Sequence, residues 1–284
     1  MAALHITPIP AFSDNYIWAL STLPAPDTPQ SLAVIVDPGD AAPVLRWLAD
    51  KQITLAAILI THHHADHTGG LPALLQRFPD IPVYGPTGGH IPMITSELAD
   101  GDAVQILGRR VDVMEVPGHT LDHLAYLFEA TSVKSDDASD RALNDPAPLL
   151  FCGDTLFAAG CGKLFEGTAD MMYTSLQRFA SLPAHTQVYC AHEYTLSNLR
   201  FAMNAEPDNS ALHDRMRREQ QRRDLGIPTL PSTILSEQRT NPFLRCHSDC
   251  LQHAVTSWAI AQNLESPDNE RETFALLRRW KDQG

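Results

Sequence analysis

The stretch Thr61-His62-His63-His64-Ala65-Asp66-His67-Thr68-Gly69-Gly70 decides how the rest of this chain is read. Its H-x-H-x-D-H pattern packs four nitrogen and oxygen donors into six residues, directly after the apolar run Leu55 to Ile60, which reads as a buried strand. In extended backbone, residues two apart point the same way, so His62 and His64 can face one cation while His63 points away. Asp66 and His67, beyond the turn, can face a second cation. Thr68-Gly69-Gly70 permits a tight turn, and Leu71, Leu74, Leu75 and Phe78 then follow at helical spacing. A strand-to-helix corner is where sites sit in folds of sheets and helices. A solvated histidine tract is the plain alternative, but such tracts are terminal, and this one is internal and fenced by a strand and a helix.

Two cations need further donors, and three similar corners provide them. Val111, Val113 and Val116 lead into Pro117-Gly118-His119-Thr120, Leu149-Leu150-Phe151-Cys152 into Gly153-Asp154-Thr155, and Val188-Tyr189-Cys190-Ala191 into His192-Glu193-Tyr194. Each corner alone reads more simply as a hydrogen-bonded turn residue at a strand end. Four of them in this order point to a metal site.

This order of motifs resembles the metallo-β-lactamase superfamily. The words Gly153-Asp154-Thr155-Leu156-Phe157, Gly160-Cys161-Gly162-Lys163, Ala191-His192-Glu193-Tyr194-Thr195 and Asn241-Pro242-Phe243-Leu244-Arg245 narrow the resemblance to the hydroxyacylglutathione hydrolases, or glyoxalase II. The resemblance implies an α+β fold: a four-layer αβ/βα sandwich with metals at one edge of its sheets, followed by a C-terminal all-helical domain. It implies a catalytic domain over 1–194 and a helical glutathione-binding domain over 195–284. His62, His64 and His119 would bind one metal, Asp66, His67 and His192 the other, and Asp154 would bridge them. The implied nucleophile is a metal-bridging hydroxide held by Asp154 with Asp66. Lys163, Tyr194, Arg278 and Lys281 would read glutathione. Phe165 departs from the pattern, standing where many relatives place a tyrosine.

The implied reaction is hydrolysis of S-D-lactoylglutathione to D-lactate and glutathione, the second step of methylglyoxal detoxification. A thiolate leaving group, with a parent pKa of about 8.5, departs with little protonation, which suits a site rich in ligands and poor in spare acids. An iron-dependent persulfide dioxygenase of the same superfamily is the alternative enzyme, distinguished by a single metal. A structural or sensing metal cluster is the alternative outside enzymology, but closed structural sites leave no open position. Asp122 and His123, just after His119, are expected to orient ligands from behind. Donors limited to histidine and carboxylate select weakly among metals, so zinc is expected, with iron or manganese compatible.

At 284 residues with 44% hydrophobic and 19% charged residues, the chain has the composition of a globular protein of one large and one smaller domain. A net charge of −13 repels polyanions and anionic membranes, so neither nucleic acid nor membrane is an expected partner. An anionic glutathione thioester then needs a local cationic patch, for which Arg278, Arg279 and Lys281 are candidates. No apolar run long enough to span a bilayer and no secretory signal are evident, and five irregularly spaced cysteines argue against a disulfide framework. A cytoplasmic, monomeric enzyme is expected. Cys246 and Cys250 read as ordinary cysteines at a helix start rather than a metal pair.

Strands are expected at 32–36, 55–60, 83–84, 104–107, 111–116, 124–128, 149–152 and 188–190, with a helix face at Val44, Leu45 and Leu48. So many strands with few helices between them suggest two packed sheets covered by helices. Beyond Tyr194 strand signals stop, and helices are expected near 195–225, 249–263 and 268–281. Pro24 to Gln30 reads as a turn-rich connection and Ser132 to Pro148 as an acidic insertion.

Overall fold

A computed structural model describes residues 4–22, 30–131, 133–134 and 146–283. Most of the proline-rich connection and of the acidic insertion therefore lies outside the described residues. Contacts divide the chain into two compact units, Met1–Glu115 with Asp122–Gly153, and Val116–Leu121 with Asp154–Gly284.

The first unit opens with β1 (Leu4–Ala11), β2 (Asn15–Ser21), β3 (Leu32–Val36), α1 (Ala41–Lys51) and β4 (Thr54–Leu59). It continues with α2 (Ala65–Thr68), α3 (Leu71–Arg77), β5 (Val83–Pro86), β6 (Ser96–Leu98), β7 (Ala103–Ile106), β8 (Arg109–Glu115), β9 (Leu124–Thr131), β10 (Val133–Lys134) and β11 (Ala147–Gly153). One sheet runs β10-β1-β2-β3-β4-β5-β6, and β11, β9, β8 and β7 pair antiparallel in a second. Ile17, Ala19, Ala33, Ile35 and Ile58 on one face of the first sheet pack with Val44 and Leu48 of α1 and with Leu71 and Leu74 of α3. Trp18, Leu20, Val34 and Val36, on the opposite face by the two-residue alternation of a strand, are equally buried and so must also be covered. The second sheet reaches the end of β4 directly: Tyr126 Oη donates to the Ile60 carbonyl at 2.6 Å, and the Leu124 amide to that of Thr61 at 2.8 Å.

The hairpin β1–β2 was not among the expected strands, and β1 carries Pro8 and Pro10, which have no N–H to give to a ladder. Its register explains the tolerance. Among the described residues β1 pairs along its length with β2, and with β10 only at Leu4 and His5, so no second described neighbour needs the N–H that Pro8 and Pro10 lack.

The second unit contains β12 (Leu156–Phe157), β13 (Gly160–Cys161), α4 (Ala169–Ala180), β14 (Gln187–Cys190), α5 (Thr195–Ala205) and α6 (Ser210–Asp224). It ends with β15 (Ser232–Thr233), α7 (Ile234–Thr240), a 3₁₀ turn at Pro242–Leu244, α8 (Asp249–Ala261) and α9 (Glu270–Gln283). The hairpin β12–β13, α4, β15 and α7 were not expected. α4, capped by Thr168, buries Met172, Leu176 and Phe179 at helical spacing, and β15 is a short strand beyond Tyr194, paired with β14.

The break at Gly153/Asp154 also differs from the boundary after Tyr194 read from the sequence. Its physical cause is α4, which packs with α9: Tyr173 Oη donates to Glu270 at 2.7 Å and Arg271 lies over the Tyr173 ring. Asn241 of the N-P-F-L-R word ties the 3₁₀ turn to the hairpin β12–β13, donating to the carbonyls of Phe157 at 3.2 Å and Gly160 at 2.9 Å. That word is therefore a clamp on the loop carrying Gly162 and Lys163. Cys152, Cys161, Cys190 and Cys246 are buried and Cys250 is exposed.

Candidate metal centre

In the first unit, β4 ends at Leu59 and the chain passes through the histidine run into α2, so the strand-to-helix corner lies before Thr68-Gly69-Gly70, whose two glycines take ordinary right-handed helical conformations rather than a tight turn. His62 Nε2 and His64 Nδ1 lie 3.0 Å apart, and the rings of His62 and His67 are 4.1 Å apart. His67 Nε2 is 3.5 Å from Asp66 Oδ2. His63 points elsewhere, its Nδ1 3.0 Å from Asp122 Oδ1, as strand alternation requires.

The carboxylate of Asp37 organises this set. The residue is buried, with a left-handed φ of 52°, a conformation that is strained for a side chain with a Cβ. Oδ1 accepts the Thr61 amide at 2.8 Å and Oδ2 accepts the Thr61 hydroxyl at 2.7 Å. Oδ2 also lies 3.0 Å from Nδ1 of His67. Since the carboxylate can only accept, the Thr61 hydroxyl spends its proton there and must itself accept from His62 Nδ1, 3.0 Å away. His62 is thereby fixed as the tautomer whose Nε2 carries a lone pair, and His67 is biased the same way. Sequence reading treated Asp37 only as the close of a strand; the acidic residue ending a strand parallel to the histidine strand was the available signal. His123 stacks on His62 with centroids 4.6 Å apart, and Asp122 pairs with His63, so the two expected orienting residues divide between an expected ligand and its neighbour.

In the second unit three donors arrive from three segments. Asp154 Oδ2 lies 3.4 Å from His119 Nε2, and Oδ1 lies 3.3 Å from His192 Nε2. His119 Nδ1 donates to the Lys163 carbonyl at 2.9 Å, which leaves its Nε2 as a lone-pair donor facing a carboxylate. Two acceptors in that relation repel unless a proton or a cation lies between them, and a divalent ion can serve ring and carboxylate together. Gly162 makes the approach possible, because a Cβ there would lie 2.1 Å from the Asp154 carbonyl oxygen and 3.1 Å from His119 Nδ1. Each unit therefore gathers its own part of the expected ligand set, His62, His64, Asp66 and His67 in the first and His119, Asp154 and His192 in the second. Donor chemistry and lone-pair orientation thus fit divalent cations.

The residues expected to read glutathione are all in the second unit. Lys163 is exposed, Phe165 is exposed with its ring edge-on to His119 at 5.2 Å, and Tyr194 stacks on His192 with centroids 4.8 Å apart. Arg278 and Lys281 do not form the solvated patch suggested by their place near the chain end. Arg278 is 3% exposed and donates to the Cys161 carbonyl at 3.0 Å and to Asp282 at 2.8 Å. Lys281 bonds Asn198 and lies over the Phe201 and Phe243 rings. Burial, reinforced by the Arg278 charge, lowers the Lys281 ammonium to about 8. Burial raises the thiols of Cys161 and Cys190, the latter to about 12, so neither is a ready nucleophile at neutral pH.

Residues 29–133 match the metallo-β-lactamase superfamily, and the B3 metallo-β-lactamase BLEG-1 shares the fold, with a TM-score of 0.57 and 24% identity over 84% of this chain and 99% of that one. The chain is thus a metallo-β-lactamase-fold protein with His/Asp clusters of the kind that hold a pair of divalent cations. Residues 193–284 match the hydroxyacylglutathione hydrolase C-terminus. The hydroxyacylglutathione hydrolase of Photobacterium profundum is 45% identical over 98% of this chain and 99% of its own length, and that of Chromohalobacter salexigens 47% identical over 99% of each. The chain belongs to the hydroxyacylglutathione hydrolase family, and it is a hydrolase. Among the described residues no helix is long and apolar enough to cross a membrane.

Proposed function

We propose that this chain hydrolyses hydroxyacyl thioesters of glutathione, S-D-lactoylglutathione above all, at two divalent cations. His62, His64 and His119 would hold one, Asp66, His67 and His192 the other, and Asp154 both. The observation that carries the reading is Asp154, whose two oxygens are each addressed by a different imidazole, at 3.4 and 3.3 Å. That is the arrangement a carboxylate shared by two ions needs. When bound, such ions lower the pKa of a coordinated water to about 7 and polarise a carbonyl, which removes the need for a side-chain nucleophile.

The chain's own residues prepare that chemistry. Asp37 and Thr61 present the His62 lone pair, and the Lys163 carbonyl presents that of His119. The rings of Phe165 and Tyr194 lie against His119 and His192, edge-on and stacked respectively. The glutathione thiolate leaves without a general acid, consistent with a site whose carboxylates and imidazoles are committed as ligands. Lys163, Tyr194, Arg278 and Lys281 would hold the peptide, with Phe165 offering a ring but no hydroxyl. Residues 1–194 serve as the catalytic region and 195–284 as the glutathione-binding region, in a cytoplasmic monomer loaded with zinc.

The test is metal analysis of the purified protein together with thiol release from S-D-lactoylglutathione, before and after chelation. Two equivalents of metal and chelator-sensitive turnover are expected. Full turnover by metal-free protein would sink the proposal; one iron per chain with oxygen uptake would point to persulfide dioxygenation.

A further inference from the structure

Asp66 shares its short element with one other expected donor, His67, but unlike His67 its side chain is not buried. It sits in the four-residue helix α2, and its side chain is 41% exposed. Its backbone is held from below by Gly39, where a Cβ would lie 1.8 Å from the Asp66 carbonyl oxygen. Its side chain is held by Asn15, whose Nδ2 donates to Asp66 Oδ2 at 3.0 Å across 51 residues of sequence. A carboxylate only accepts, so the Asn15 amide must present its nitrogen. Asn15 is 7% exposed and opens β2, where it pairs with Ala11 at the closing end of the β1–β2 hairpin. The donor is therefore fixed in a sheet, whereas the carboxylate that it holds stands on a single turn of helix.

We propose that Asn15 is a positioning residue for the metal centre: its amide selects the Asp66 rotamer in which Oδ2 faces Nε2 of His67, 3.5 Å away, so that both donors are presented to one cation. The inference rests on the reading of Asp66 as a ligand. Bonding to Oδ2 occupies one of its lone pairs and leaves the other for the ion. Partners of this kind behind a ligand change metal affinity by about 10- to 100-fold when removed.

The test uses the full-length protein. Asn15→Asp keeps the size and shape of the side chain while replacing the donor by an acceptor, and Asn15→Ala removes it without adding charge. Zinc is titrated against a chromophoric chelator, and melting of the metal-free proteins reports folding separately. One of the two equivalents should weaken about 10- to 100-fold in both variants, more for Asp than for Ala, while the other keeps its wild-type affinity. Two equivalents bound as tightly as in the wild type would overturn the inference, as would equal weakening of both, which is the signature of a general structural role. Asp66→Ala separates the two levels of the claim. If that variant still binds two tight equivalents, the ligand reading itself fails; if it loses one while both Asn15 variants retain two, only the role of Asn15 fails.

Discussion

The two donor sets are built differently. In the first unit four donors come from six consecutive residues and are aimed by side chains: the carboxylate of Asp37, the hydroxyl of Thr61 and the amide of Asn15. In the second, His119, Asp154 and His192 come from three separate segments and are aimed by main chain, through the Lys163 carbonyl and the close approach that Gly162 permits. A contiguous set already has its donors near one another and needs side chains to choose rotamers and tautomers. A dispersed set depends on the backbone, because the fold must first bring the segments together. Side-chain substitution behind the ligands should therefore disturb the first set, and backbone change the second.

The largest effect is expected from Asp154→Ala, which removes the carboxylate addressed by both His119 and His192. Metal content should fall and thiol release from S-D-lactoylglutathione should drop by about 1,000-fold or more, because metal loading and catalysis are lost together. A variant that retained both metal and turnover would remove the shared-ligand reading.

Gly162→Ala comes next. Its Cβ would meet the Asp154 main chain at 2.1 Å, so the loop must shift and disturb the contact that orients His119. We expect a loss of about 10- to 100-fold in kcat/KM. Lys163→Ala makes the complementary point, since the carbonyl rather than the side chain holds His119. Metal content should stay at its wild-type level while KM for glutathione thioesters rises; a fall in metal content would contradict the backbone account.

Asp37→Asn probes the side-chain-built set. It preserves shape but weakens acceptance from Thr61 and the pairing with His67, and affinity for metal should fall about 10- to 100-fold. Unchanged chelator competition would show that the tautomers are set by something else.

The smallest and most specific effect concerns Lys281. Its ammonium titrates near 8, lowered by burial, so it is charged below that pH and neutral above it. KM for glutathione thioesters should therefore rise as pH passes upward through about 8, with kcat little changed, and Lys281→Ala should raise KM at lower pH and flatten the profile. A pH profile identical in the variant would exclude Lys281 from peptide recognition.

Much of the site was legible in sequence because its logic is local. The period-two backbone of a strand separates His62 and His64 from His63, and the apolar run before them marks the strand that carries them. The corners at His119, Asp154 and His192 were legible as strand ends, although their convergence on one carboxylate was known only by resemblance. What stayed hidden depends on neighbours distant in sequence. Only its place at the end of a strand hints that Asp37 stands behind His67, and nothing local marks Asn15 as the partner of Asp66 or Asn241 as the clamp on β12–β13. In β1 two prolines sit where, among the described residues, the sheet provides no second partner, which local sequence does not show.

Arg278 and Lys281 mark the same division. By itself the sequence determined that cationic residues cluster at 278–281 and that donors recur at four corners, since residue type and spacing are local properties. Only the tertiary structure decided that Arg278 is buried against Cys161 rather than solvated, that Lys281 carries a lowered pKa, and which lone pair each oriented histidine presents. Burial, tautomer and proton affinity are set by what surrounds a group, and that environment exists only once segments remote in the chain have packed together.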